Sequence, residues 1–282
     1  MKVVTSPPDF AALGGHRTGG IAFGRFFSGR TGSPGNYEFS LTRIDSYSTP
    51  RHTHNHDQIR YCLRGPFNYG PGLDIPEDWL LYHPESAPYG PQQVDRECLV
   101  LTLQMGGASG RGFMSYDQVD AANTRLRRRG RFADGHYHWT DDAGAEHRED
   151  GWDAVWREVT GTDPEFDPVR YAHPVLVNPS AFRWLATAET GVESKTVGVF
   201  TERLLTIGFT RLAAGASHTP VAGETPRLGF VRSGRARAAG DDLPAMAAYR
   251  LDPGDPPVTI EAVEETVLFT VDLPRFDSPD AY

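Results

Sequence analysis

Cysteine is nearly absent from this chain of 282 residues, and that excludes a disulfide scaffold. Only Cys62 and Cys98 occur, each in an apolar, strand-like run (QIRYCL and ECLVLTLQM) where a thiol packs as a small hydrophobe. Basic residues are also in short supply: 28 Lys and Arg face 37 Asp and Glu, for a net charge of −9. Such a surface opposes binding to a phosphate backbone, so nucleic acid is not an expected partner. Long apolar runs are missing as well. The opening stretch MKVVTSPPDFAALGGHRTGG has no uninterrupted hydrophobic segment of the kind a signal peptide or membrane span needs, and the expectation is a cytoplasmic protein with no membrane partner. No glycine-rich nucleotide loop and no Ser or Cys nucleophile motif is present.

What the chain does have is turn residues, 30 Gly and 22 Pro, between short β-rich runs. From Asn36 these runs are YEFSLTRI, QIRYCL, FNYG, WLLYH and CLVLTLQM, a spacing that predicts an antiparallel sandwich or barrel. The first thirty-five residues read as an irregular arm pinned by Phe23, Phe26 and Phe27. Between Gly106 and about Tyr171 the pattern changes. Val119, Ala122 and Leu126 share one helical face, and Trp152, Val155, Trp156 and Val159 have the i, i+3, i+4, i+7 spacing of a second helix. The basic cluster Arg125–Arg131 suits a helix end and reads as a solvated face. Strand signals resume with TVGVF, LLTIGFTRL, RLGFVRSG, AAYRL, VTIEA and TVLFTVDL. SLTRIDSYSTPRHTH aligns with GFTRLAAGASHTP, and QIRYCLRG with RLGFVRSG, so the second half repeats the first. The expected fold is all-β, two barrels in tandem: residues 1–106 an arm and a metal-binding barrel, 107–171 a partly helical connector, 172–282 a second barrel.

The chemistry concentrates in RHTHNHDQIRYCLRG. His52, His54, His56 and Gln58 occupy alternate positions, which in an extended chain face one side, and imidazoles so spaced can chelate a borderline divalent ion. Alternation also turns Arg60 and Cys62 inward. An interior guanidinium needs an anion, either a buried carboxylate or an anionic substrate. Tyr69, Thr102 and Gln104 are candidates for further polar contacts on neighbouring strands. In the connector, His136 and His138 with His147 nearby lack ligands fixed by spacing and read as surface packing beside Tyr137 and Trp139.

These segments resemble the cupin superfamily, whose first motif is G-x5-H-x-H-x3-E-x6-G. His52, His54 and Gly65 match it, Gln58 stands at the Glu position, and Ser46 replaces the leading Gly. The second motif, G-x5-P-x-G-x2-H-x3-N, falls on Asp78 through Gln93: Pro84 matches, Asp78 and Ser86 replace glycines, Tyr89 replaces the His and Gln93 the Asn. The resemblance implies two tandem jelly-roll barrels, a metal held by His52, His54, Gln58 and Tyr89, and a dimer. His56 is the reserve ligand; in the cupin pattern its position points to the rim. His83 is expected on the outward face of its strand. Gln58 is neutral, so charge on the site would come from a Tyr89 phenolate, unless Tyr89 acts instead as an acid/base group.

In the second barrel His218 aligns with a motif His, but Pro220 and Arg227 stand at the other ligand positions. That barrel reads as structural, with an anion pocket of Arg227 and Arg232 as the alternative. The function implied is a mononuclear metal-dependent enzyme acting on a small organic molecule, foremost an oxygenase using Fe(II), with Tyr89 and Arg60 as catalytic candidates. Zn, Mn, Ni and Cu stay open, as do a Zn-type isomerase or lyase with Tyr89 moving a proton, and a non-catalytic small-molecule binder.

Overall fold

The run Tyr37–Thr49 forms a 13-residue strand on which the first unit is organised, because its alternate side chains have two different surfaces to cover. The structure, a computed structural model, describes residues 1–12, 18–277 and 282. They fall into two units, Asp9–Val177 and Met1–Pro8 with Asn178–Pro279. The segment 107–171 thus lies in the unit of the first barrel. Lys2–Val4 lies in the other, where it pairs with Ala248–Leu251. Among the described residues no helix is long and apolar enough to cross a membrane.

In the first unit, Tyr37–Thr49 pairs antiparallel with Cys98–Met105, which pairs with Asp57–Arg64, which pairs with Leu80–His83. On its other side Tyr37–Thr49 pairs with Thr18–Ser28, so the tract expected as an irregular arm contains an 11-residue strand. Its glycines hide the alternation without costing backbone pairing, and Gly20 sits where a Cβ would stand 2.9 Å from the Asp45 carbonyl oxygen. Register puts Leu81, Arg60, Thr102, Ser40 and Arg25 in one row across the sheet, with His83, Gln58, Gln104 and Glu38 in the next. The inward apolar positions, among them Ile44, Cys62, Leu81, Cys98 and Val100, form one core cluster. Both cysteines are free and buried there, and burial pushes the Cys62 thiol up to about 12.

The helices lie where periodicity predicts them. Tyr116–Leu126 (α1) starts from a capping box of Ser115 and Gln118; Gly151–Thr160 (α2) starts from Asp150, whose carboxylate accepts from Trp152 and Asp153 N–H, and ends at left-handed Gly161. Val119, Ala122 and Leu126 pack with Trp152, Val155 and Trp156. Beside its helices the partly helical connector contains a three-stranded sheet, Gly130–Ala133, His136–Thr140 and Glu146–Asp150. Its strands are short and half-exposed, so no apolar alternation announces them.

The second unit repeats the plan. Leu205–Leu212 pairs with Val192–Phe200 and Thr266–Asp272, and Arg227–Ser233 pairs with Thr266–Asp272 and Ala248–Leu251. A four-stranded sheet that includes Ser217–His218 and Ile260–Ala262 supplies part of its core, Ala236, Ala238, Leu243 and Ile260 packing with Val231, Leu251 and Leu268. One register row here reads Tyr249, Gly229, Thr270, Gly208, Thr196. The motif alignment of Arg60 with Gly229 makes it the equivalent of the Arg60 row. The two units are tandem all-β jelly-roll barrels.

Candidate metal and substrate site

The segment between Thr49 and Asp57 is a turn anchored at both ends. His52 and Tyr89 form an isolated antiparallel bridge, exchanging two backbone hydrogen bonds of 3.0 Å, and Ser86 N–H donates to the His54 carbonyl at 2.7 Å. These contacts bring the first motif and the second motif together. At all three positions where cupin motifs carry a replaced glycine, Ser46, Asp78 and Ser86, the backbone is left-handed, with φ of 49°, 62° and 67°. The chain keeps the motif's backbone path without its glycines.

His54 is the hub. Gln58 Nε2 lies 3.0 Å from its Nδ1, His56 Nε2 lies 3.1 Å from the same atom, and the Tyr89 hydroxyl lies 3.3 Å from its Nε2. An amide nitrogen only donates, so in this arrangement Nδ1 accepts and Nε2 carries the proton toward Tyr89. The Gln58 amide cannot turn round without loss, because its Oε1 accepts a hydrogen bond of 3.0 Å from Arg60 Nη2. Gln58 therefore presents nitrogen, not oxygen, to the imidazoles. His52 is oriented differently: its Nδ1 donates to the Pro50 carbonyl at 2.8 Å, which leaves Nε2 as the nitrogen with the lone pair. Its ring centroid is 4.8 Å from that of His54 and 4.3 Å from that of Tyr89.

His56 and His83 differ from expectation. His56 is 1% exposed and packs on His54, Phe113 and Trp152, because the turn after His52 is not extended and strand alternation does not carry through it. His83 is 2% exposed, not outward: it is the cross-strand partner of Gln58 and so faces the same side, 4.2 Å from the Tyr89 ring. Both its ring nitrogens are buried with no hydrogen-bond partner. Burial, and then the nearby Arg60 and His56, hold its pKa well below the usual imidazole range, so it is neutral.

Arg60 is half-buried, stacked over Phe67 at 4.8 Å and near Tyr89 at 5.9 Å. Among the described residues no carboxylate pairs with it; the carboxylate in the neighbouring row, Glu38, is held by Arg25. Thr102 bonds Thr42 through their hydroxyls at 2.9 Å, Gln104 stands opposite Gln58, and Tyr69 is buried near His83. Behind the histidines lies a network that sequence reasoning does not single out. Asp57 accepts from Tyr82 at 3.0 Å and from Glu85 N–H at 2.7 Å, while Glu85 accepts from Ser109 and Arg170. Burial pushes Asp57 up to about 7. Its place beside HTHNH is visible in the sequence; its partners, distant along the chain, are not.

The donor set is imidazole and phenol, which suits a borderline divalent ion more than Mg or Ca. Two ligands of one ion about 2.1 Å away stand roughly 3.0–3.4 Å apart, and the His54 and His56 nitrogens fall in that range at 3.1 Å. No three His, Cys, Asp or Glu side chains among the described residues yet converge as a metal-holding group. A third ligand would come from Tyr89 or from a rotation of His52 or His83. The residues fit a metal on that condition.

The other connector histidines are elsewhere: His147 bonds Asp141 at 2.8 Å, and His136 lies against Arg148. In the second barrel His218 bonds Glu189 at 2.5 Å, and Arg227 forms a two-point pair with Asp272 at 2.6 and 3.0 Å. Arg227 is thus already neutralised.

The fold is that of a two-barrel cupin, and the motif path resembles that superfamily's. No family model matches the chain, and no curated protein matches its sequence. Solved structures do match in shape. A candidate dioxygenase from Nostoc punctiforme aligns with TM-score 0.60 at 8% identity, over 96% of this chain and 80% of that one. Salicylate 1,2-dioxygenase from Pseudaminobacter salicylatoxidans aligns with TM-score 0.52 at 14% identity, over 86% and 72%, and a variant of that enzyme was solved with gentisate. The bacterial pirin YhhW of Escherichia coli, in complex with nickel(II), aligns with TM-score 0.50 at 9% identity, over 95% and 96%. At these identities the likeness is one of fold.

Proposed function

We propose that the first barrel is a mononuclear divalent-metal site acting on a small organic carboxylate, and that its reaction is an oxygenation. The observation that carries the reading is the buried imidazole pair, His54 Nδ1 and His56 Nε2 at 3.1 Å, with His52 and Tyr89 against the same hub. His52, His54 and His56 would supply imidazole nitrogens and Tyr89 the one oxygen able to carry charge. Gln58 presents its amide nitrogen and so would not ligate; its hydrogen bond to His54 Nδ1, and the proton shared between Nδ1 and His56 Nε2, would be given up when a metal takes those lone pairs. A bound borderline metal of this kind, Fe(II) foremost, would supply oxygen activation or Lewis-acid polarisation. The protein's own part is orientation and exclusion of water. Arg60 has a guanidinium beside the site with no carboxylate partner among the described residues, and it would take the substrate's carboxylate. Phe113 and Trp152 wall off the histidines. Dioxygenases among the solved structures of the same fold support an oxygenase.

A second reading rests on the Tyr89 hydroxyl, bonded to His54 and 3.5 Å from Gln58 Nε2: a phenol so placed can move a proton in an isomerase or lyase. Anaerobic titration with Fe(II), Zn(II) and Ni(II), followed by metal analysis of wild type, His54→Ala and His56→Ala, tests the site. The expected result is a single tight ion per chain, weakened about tenfold or more in each variant; full occupancy in both variants would remove the site. Oxygen uptake with aromatic and aliphatic carboxylates separates the reactions. Turnover without oxygen uptake, lost in Tyr89→Phe while metal is retained, would select the second reading.

A further inference from the structure

The second barrel holds a cavity of about 490 Å³ within its own unit, between the sheet bearing Thr196, Gly208, Gly229 and Thr270 and the segment His218–Val221. That volume is in the range of small-molecule sites. Its origin is legible in the register row: the first barrel places Arg60 and Ser40 where the second has Gly229 and Gly208, so two interior side chains are missing. Tyr249 occupies part of the space over Gly229, where any Cβ would overlap its ring, and the cavity runs past Gly208 beside Thr196 and Thr270.

On the cavity side of the sheet Arg227 is paired with Asp272, and Glu189 accepts from His218 and from Thr219 N–H. Lys195 has no carboxylate partner among the described residues, but it alternates with Thr196 and so stands on the other face of the sheet, where its ammonium donates to the Pro179 carbonyl at 2.7 Å and lies over Trp184. Arg227, the guanidinium on the cavity side, is thus not left for a charged guest. Unspent hydrogen-bonding capacity is of another kind: Tyr249, fully buried at the cavity wall, has a hydroxyl with no partner. Burial pushes that phenol up to about 12, so it remains a donor. Thr196 and Thr270 add hydroxyls that both donate and accept.

We propose that the second barrel is a binding site for a small neutral polyol of monosaccharide size, recognised by Tyr249 and Thr270 with the Arg227–Asp272 pair in the wall. Hydroxyls of the guest match groups that both donate and accept, and they need no counter-charge. The site is independent of the metal reading of the first barrel.

Saturation-transfer NMR on the full chain with D-glucose, D-xylose and myo-inositol tests it, with benzoate and inorganic phosphate as charged probes. At least one polyol should bind saturably. Tyr249→Phe and Thr270→Val should each weaken it about two- to tenfold, the worth of one neutral hydrogen bond, and the double variant should abolish it. His54→Ala should leave it unchanged. The proposal is overturned if no polyol saturates, if the double variant binds like wild type, if His54→Ala abolishes binding, or if benzoate or phosphate is the probe that the double variant loses. Both substitutions keep side-chain volume, so a folded double variant is expected, and its circular dichroism is compared with wild type. Should it unfold, the two single variants decide in the same titration: weakened polyol binding in both supports the site, and undiminished binding in either overturns it.

Discussion

Where the first barrel pairs Gln58 with His83 and Arg60 with Leu81, the second pairs Arg227 with Leu251 and Gly229 with Tyr249. The scaffold is the same, but the polar groups are satisfied in different ways. In the second barrel the cation meets Asp272 and the neighbouring apolar position joins a closed core. In the first, His83 is buried with both ring nitrogens unpartnered and Arg60 has only an amide oxygen and aromatic rings. Buried polar groups left so are costly, and such cost concentrates at sites that bind something. At these equivalent positions the difference separates a cation and a side chain satisfied within the chain from an imidazole and a guanidinium that are not.

Exchanging equivalent residues should therefore act in opposite directions. The largest effect is expected from Leu251→His, which removes a core side chain and buries an imidazole with no partner: a loss of about 3–5 kcal/mol in urea unfolding. A loss no larger than that of a surface change would mean that Leu251 is not equivalent to His83. Gly229→Ala comes next. Its Cβ must displace the Tyr249 ring, an overpacking cost of about 1–3 kcal/mol, and Gly229→Ala combined with Tyr249→Leu, which sets the first barrel's leucine opposite a small residue at 229, should recover most of it. His83→Leu goes the other way. Removing two unpartnered nitrogens should stabilise the metal-free protein by about 1–3 kcal/mol while weakening metal affinity; destabilisation of the metal-free chain would show that His83 is satisfied in solution.

Much of this comparison is legible in the chain itself. The repeat of QIRYCLRG as RLGFVRSG and the spacing within each motif act over short distances, where side-chain period and turn chemistry leave few choices. His83 escapes such reasoning because the face it occupies depends on its pairing with Gln58, and pairing register between strands over twenty residues apart is not written in either strand. His56 escapes it for the opposite reason: a strand period does not continue into a turn. The partners of Asp57 and the walls at Phe113 and Trp152 come from distant segments, and only tertiary packing assembles them.

The smallest effects concern the replaced motif glycines, and they sharpen the claim that the first barrel follows a cupin path. Left-handed backbone costs a non-glycine residue about 1–2 kcal/mol, partly offset because glycine loses more entropy on folding. The three positions should then rank by what else their side chains do. Ser86 has a buried hydroxyl with no partner, so Ser86→Gly relieves both the strain and the orphan and should gain about 1 kcal/mol. Ser46 is exposed and its hydroxyl only reaches Asp45, so Ser46→Gly should gain about half that. Asp78 accepts from the Tyr61 hydroxyl at 3.1 Å, and Asp is among the residues that tolerate this conformation, so Asp78→Gly should gain nothing. Thermal unfolding of the three single variants reads the order directly. An inverted order, with Asp78→Gly the most stabilising, would mean that the motif's backbone path is not what these three residues share.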